Sequence, residues 1–254
     1  MKHSYRYINA YNDENRDFHV KLQQNSAKRT VGYIVILVFF VLLLILEVAT
    51  VRAADINDAQ EIVDRSKVTY TSMARDKDFS WFRDNLKNAK GLLIYPQVLK
   101  AGFILGGSGG TGVLVVRDAK TGDWSEPAFY TIGSISFGLQ IGGESAEVIM
   151  MVMSQKAVDS LYTSSVKLGG DTSIAVGPVG AGAKGAVTAD IISFARSKGL
   201  YAGLNFEGSV LGVRDSLNKA YYGKGVSPVE IIVEKKVGNK GSEELRTVLK
   251  MAVK

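Results

Sequence analysis

Arg75, Lys77, Arg83, Lys87, Lys90 and Lys100 crowd one short stretch, against three acids, Asp76, Asp78 and Asp84, and with Trp81 among them. Side chains of this kind at this density attract phosphate, each contributing ~1 kcal/mol near an anionic membrane surface. If a helix starts after Asp78 as its N-cap and buries Phe79, Phe82 and Leu86, then Arg83, Lys87 and Lys90 share a flank. Trp81 then stands at the boundary of that flank. A solvated helix face has the same pattern, so residue arithmetic leaves a membrane surface and plain solvation both open.

Other patterns offer less chemistry. Gly107-Ser108-Gly109-Gly110-Thr111-Gly112 has dinucleotide-fingerprint spacing, but that fingerprint needs a helix next to face a pyrophosphate. Val113 to Val116 is a strand pattern instead, and Gly180 to Gly185 fails in the same way. Glu144 and Glu147 are the nearest carboxylates in the strand-rich region, and residues three apart on a strand face opposite ways. Asp118, Asp123 and Glu126 bracket a turn that turn chemistry explains without a cation. There is no cysteine, and the two histidines, His3 and His19, precede a long apolar run. Beyond that run, thiol and imidazole nucleophiles, a His general base and a zinc site with N or S ligands are excluded. The expectation is binding and not catalysis: no enzyme activity, no cofactor, no metal and no nucleotide.

The elements that must position these residues follow from pattern. The chain has 254 residues, 46% hydrophobic and 22% charged, enough for one or at most two compact domains. Residues 1–53 read as a leader whose apolar part, 31–46, follows Lys28 and Arg29, with Val51 and Ala53 placed for cleavage before Ala54. A cleaved signal and a retained anchor both fit, and either predicts export: a periplasmic domain, or one anchored in the membrane and facing the periplasm. Of the net charge of +6, half belongs to the leader, and the +3 left is not the footprint of a nucleic-acid-binding domain. From Asp55 to Ala89 the apolar spacing is helical, without glycine or proline. Between Gly91 and Gly225 lie 24 of the 27 glycines, interleaved with short apolar runs that predict buried strands joined by tight turns. The expected fold is α+β: a glycine-rich antiparallel meander, strongly curved or barrel-like, with N-terminal helices packed on it and short interrupting helices. Ser154 is placed to cap one such helix, Gly223 to end another, and Val229 to Val233 reads as a last strand. A single domain over 54–233 then leaves a basic tail, 234–254, as a short helix, loosely docked or mobile.

Five motifs stand together in one order. They are Trp124-Ser125-Glu126-Pro127-Ala128, Gly138-Leu139-Gln140-Ile141-Gly142, Ala175-Val176-Gly177-Pro178-Val179-Gly180, Ser197 to Gly203 with Glu207-Gly208-Ser209, and Ala220-Tyr221-Tyr222-Gly223. In order and spacing this resembles the SYLF domain over about Ile56 to Val233, and it looks like a bacterial, exported member. The resemblance implies a glycine-rich β core with packed helices and a non-enzymatic lipid-binding module; eukaryotic members bind phosphoinositides, and some contact actin. The expected partner is an anionic phospholipid, another amphiphile or a membrane surface, engaged through Arg75, Lys77, Trp81, Arg83, Lys87, Lys90 and Lys100. The alternative is a structural or protein-interaction module of the envelope, with an envelope protein as partner.

Overall fold

The computed structural model describes residues 55–102, 105–137, 142–185, 187–198 and 206–251. The expected leader lies outside them. Helix α1 (residues 55–75) buries Ala59, Val63, Ser66, Tyr70 and Met73, a stripe at three- and four-residue steps. A 3₁₀ turn at Lys77–Phe79, helix α2 (Ser80–Asn85) and a second 3₁₀ turn at Leu86–Asn88 follow. The cap of this segment is Asp76 and not Asp78: Asp76 is extended and its carboxylate accepts from the Asp78 N–H. Phe79, Phe82 and Leu86 are buried, as the spacing predicts.

Eight strands form one sheet: β1 (Gly91–Gly102), β2 (Leu105–Val116), β3 (Ala128–Phe137), β4 (Gly142–Val152), β5 (Ser165–Lys167), β6 (Ile174–Val176), β7 (Ile191–Lys198) and β8 (Val210–Val213). Helix α3 (Gln155–Leu161) follows β4, capped by Ser154, and α4 (Asp215–Tyr222) follows β8 and ends at left-handed Gly223. The strand order is β5-β8-β3-β2-β1-β4-β7-β6, antiparallel except for β6 on β7. The expected meander holds for β1, β2 and β3. Strand β4 then returns beside β1, which is Greek-key order.

Topology requires the sheet to curl. Its two edge strands, β5 and β6, are separated by seven strand spacings, ~34 Å if flat, yet only residues 168–173 join them. That link spans at most ~25 Å when fully extended, and it is folded back further by the Leu168–Thr172 bridge. Curling gives the sheet two covered faces. Leu92, Ile94, Val113, Val115, Phe129, Ile149 and Phe194 face outward under α1, α2 and α4. Leu93, Tyr95, Leu114, Tyr130, Val148 and Met150 face inward, with α3 at one side. Burial on both faces is why these strands read as unbroken apolar runs and not as alternation.

Two expectations change at the C-terminus. Val229 to Val233 is not a strand: Pro228–Ile232 is helix α5, opened by a capping box in which Ser227 and Glu230 satisfy each other's backbone N–H. The β-branched run suggested a strand, but Ser227-Pro228 followed by Glu230 fixes a helix start. Ser227→Ala is expected to cost ~1 kcal/mol, read as a lowered denaturation midpoint with unchanged slope. The tail does contain the expected short helix, α6 (Glu243–Met251). It is not loosely docked, because Leu245 and Leu249 are in the outer core.

Candidate functional site

The basic stretch divides once folded. Arg75, Lys77, Lys87 and Lys90 are exposed and form no ion pair among the described residues. Arg83 is occupied differently: its guanidinium donates to the carbonyls of Ala74 at 3.1 Å and Asp76 at 3.4 Å, closing the open end of α1. Trp81 turns into the core. It is 7% exposed, its Nε1 donates to the Gly185 carbonyl at 2.8 Å, and its ring stacks on Phe194 at 5.9 Å. An indole has a large apolar area and one donor, and here the core takes both.

Lys100 parts from the others altogether. It is near the far end of β1 while Lys90 immediately precedes that strand, a separation of ~30 Å. What the fold does assemble is Lys87, Lys90 and Arg117. The Arg117 N–H donates to the Lys90 carbonyl at 2.7 Å, and its side chain donates to the Lys87 carbonyl at 2.8 Å. Arg117 was missed because it is 27 positions further along the chain than Lys90. The ladder pairing of Gly91 with Val116 is what brings the two together.

Below this basic corner is a cleft of about 330 Å³ lined by Arg117, Asp118, Trp124, Glu126, Ile231 and Arg246. Its charges already have partners. Lys235 pairs with Asp118 at 3.1 Å, Arg246 with Glu126 at 2.7 Å, and Lys250 beside it with Asp123 at 2.6 Å. The Lys120 N–H, then the Lys235 ammonium and the Thr121 N–H, hold the Asp118 carboxyl down to about 2. Hydrogen bonds from Lys250 and Thr121 lower Asp123 as well. These carboxylates therefore fasten the C-terminal segment to the turn after β2. The two carboxylates of β4 behave as strand geometry dictates: Glu147 faces α1 and is bound by Arg196, while Glu144 is on the inner face. No single reaction centre can use both.

The family model described as Ysc84, Las17-binding protein actin regulator, matches residues 133–252, from mid-β3 through α6. The chain carries a domain of the Ysc84/SYLF family. It is 40% identical over 144 residues to an SH3 domain-containing protein of Schizosaccharomyces pombe, covering 54% of this chain and 33% of the relative. LAS seventeen-binding protein 3 of Saccharomyces cerevisiae is 37% identical over 147 residues, covering 55% and 32%. The human SH3 domain-containing YSC84-like protein 1 is 33% identical over 152 residues, covering 58% and 44%. The Ysc84/SYLF domain of this chain thus spans less than half the length of these relatives. No solved structure matches the chain.

Proposed function

We propose that the protein is a non-enzymatic lipid-binding module of the cell envelope that associates with anionic phospholipid. The observation that carries this reading is the corner where β1 begins and β2 ends. There Lys87 and Lys90 are exposed beside Arg117; Arg75, the last residue of α1, and Lys77 are exposed as well. Lys67, Lys235, Lys236, Arg246 and Lys250 are paired with carboxylates, whereas Lys87 and Lys90 form no ion pair among the described residues. A field from loosely held surface lysines suits a fluid anionic surface better than a shaped pocket. Export through the leader, to the periplasm or to a membrane anchor facing it, belongs to the same proposal.

The test is co-sedimentation of the full chain with phosphatidylglycerol vesicles. Lys87→Gln with Lys90→Gln removes ~2 kcal/mol of attraction, about 30-fold in affinity, at an unchanged melting temperature. Wild-type binding should also fall as salt shortens the screening length from ~10 Å at 0.1 M to ~3 Å at 1 M. Equal binding by the variant and the wild type removes the corner from the proposal. The second reading, a protein-interaction module, is favoured by the description of the family model as a Las17-binding actin regulator. It predicts no sedimentation with any vesicle.

A further inference from the structure

The inner face of the curled sheet changes character at one rung. Below that rung the cross-strand neighbours on five strands are apolar or glycine, Leu211 on β8, Ile132 on β3, Gly110 on β2, Val98 on β1 and Ala146 on β4, while β7 places Ser197 opposite Ala146. Two residues further along β3, β2, β1 and β4, on the same face, the neighbours are polar. Ser134 pairs with Ser108, Ser108 with Lys100, and Lys100 with Glu144. Ser209 immediately precedes Val210, the partner of Gly133, and so extends the row beside Ser134. The hydroxyls of Ser108 and Ser134 are 2.7 Å apart, which confirms that they share a face.

The ends of this row are unsatisfied. Glu144 is 5% exposed and Ser209 is fully buried, and neither the two carboxylate oxygens nor the Ser209 hydroxyl has a hydrogen-bond partner among the described residues. A buried carboxylate deprived of donors is among the most costly arrangements a fold can hold. Deeper on the same face there is no relief either, since the buried Tyr95 hydroxyl makes no hydrogen bond among the described residues. Nor does the row suit a metal ion, since the described residues hold no group of three ligating side chains.

We propose that this rung is a head-group site for a phosphoethanolamine, the ammonium donating to Glu144 and the phosphate accepting from Lys100 and the serine hydroxyls. The row carries one cationic and one anionic side chain on adjacent strands, directly opposed, and a zwitterionic head with a short spacer matches that order of charge. A primary ammonium brings three N–H donors, enough for both orphaned oxygens, whereas the quaternary ammonium of choline brings none. In naming a lipid head, this inference rests on the lipid-binding reading above. It assigns a second site, distinct in position from the Lys87 and Lys90 corner.

The experiment uses the full chain and two probes. Titrated with free O-phosphoethanolamine in a calorimeter, the wild type should give saturable binding, with phosphocholine at least tenfold weaker. In vesicles, replacing part of the phosphatidylcholine by phosphatidylethanolamine at constant phosphatidylglycerol should raise co-sedimentation. Glu144→Gln preserves size and should abolish both effects while leaving binding to phosphatidylglycerol alone unchanged. If that variant does not fold, Ser209→Ala, which removes a hydroxyl with no partner to lose, should weaken the same two effects without lowering the melting temperature. Calorimetric binding that depends on Glu144 supports the rung even if no vesicle is bound, in which case only the membrane reading fails. Equal affinity for phosphocholine, no binding of O-phosphoethanolamine, or full binding by Glu144→Gln overturns the inference and leaves the anionic-lipid reading standing.

Discussion

Gly112→Ala is expected to leave little folded protein, although it adds a single methyl group. Pro96 interrupts β1, and a proline within a central strand is accommodated only where pairing is irregular. The register accordingly slips between Ile94 and Gln97, setting two residues of β1 against Gly112 alone. The slip presses the β1 backbone onto β2. A methyl group at Gly112 would overlap the Ile94 carbonyl oxygen and come within 2.7 Å of the Tyr95 ring. Neither neighbour can yield: the carbonyl belongs to a central strand and Tyr95 is fully buried in the inner core. Overpacking against backbone in a dense core costs upwards of ~3 kcal/mol, a large part of the ~5 to 15 kcal/mol that keeps a domain folded. Gly143→Ala is the control, since a methyl group there meets nothing within 4 Å. Its denaturation midpoint should stay within ~0.5 kcal/mol of wild type. A Gly112→Ala protein as stable as the Gly143→Ala protein would show that the close approach of β1 and β2 is wrong.

That pair of glycines also marks how far the sequence could be read. Glycine density between short apolar runs is enough to predict an antiparallel, glycine-rich sheet, and burial of Phe79, Phe82 and Leu86 follows from spacing. Spacing does not distinguish a glycine that the backbone requires, such as Gly112, from one facing open space, such as Gly143. Pairing order is equally hidden. Strands β1, β2 and β4 all carry runs apolar on both faces, so nothing local tells β4 to pair with β1 and not with β3. The candidate site suffered from reading charge along one dimension. Arg83 and Trp81 are adjacent in sequence to the exposed lysines but are consumed by a helix end and the core. The inner polar rung could not be found that way, since Lys100, Ser108, Ser134, Glu144 and Ser209 come from separate strands. Their shared face depends on the bulge at Pro96, which resets the alternation along β1.

Arg196→Ala is expected to release the C-terminal half of α1 from the sheet. On the outer face of β7, Arg196 donates from Nε to Glu147 at 2.8 Å, with a second bond from its Nη2, which also donates to Ser72 of α1 at 2.8 Å. Its Nη1 approaches Asp76, just past the helix, at 3.6 Å, and Thr69 of α1 donates to Glu147 at 3.1 Å. One guanidinium thus ties together β4, β7 and both sides of the end of α1. The Arg196 and Glu147 side chains are 28% and 21% exposed, so solvent screens the pair only in part. Removing one partner of a fully buried pair costs ~3 to 5 kcal/mol, and partial exposure here brings the expected loss to ~2 to 3 kcal/mol. Glu147→Gln alone should cost less, because the amide oxygen still accepts from Thr69. In the double variant the two losses should not add, with a coupling of at least ~1 kcal/mol, because the uncompensated carboxylate responsible for most of the single loss is gone. Amide exchange should locate the damage, with protection lost first between Thr69 and Asp76 while the β1–β2 ladder stays protected. Additive losses, or exchange that rises uniformly over the sheet, would mean that the ion pair is incidental and that α1 is held by Tyr70 and Met73 alone.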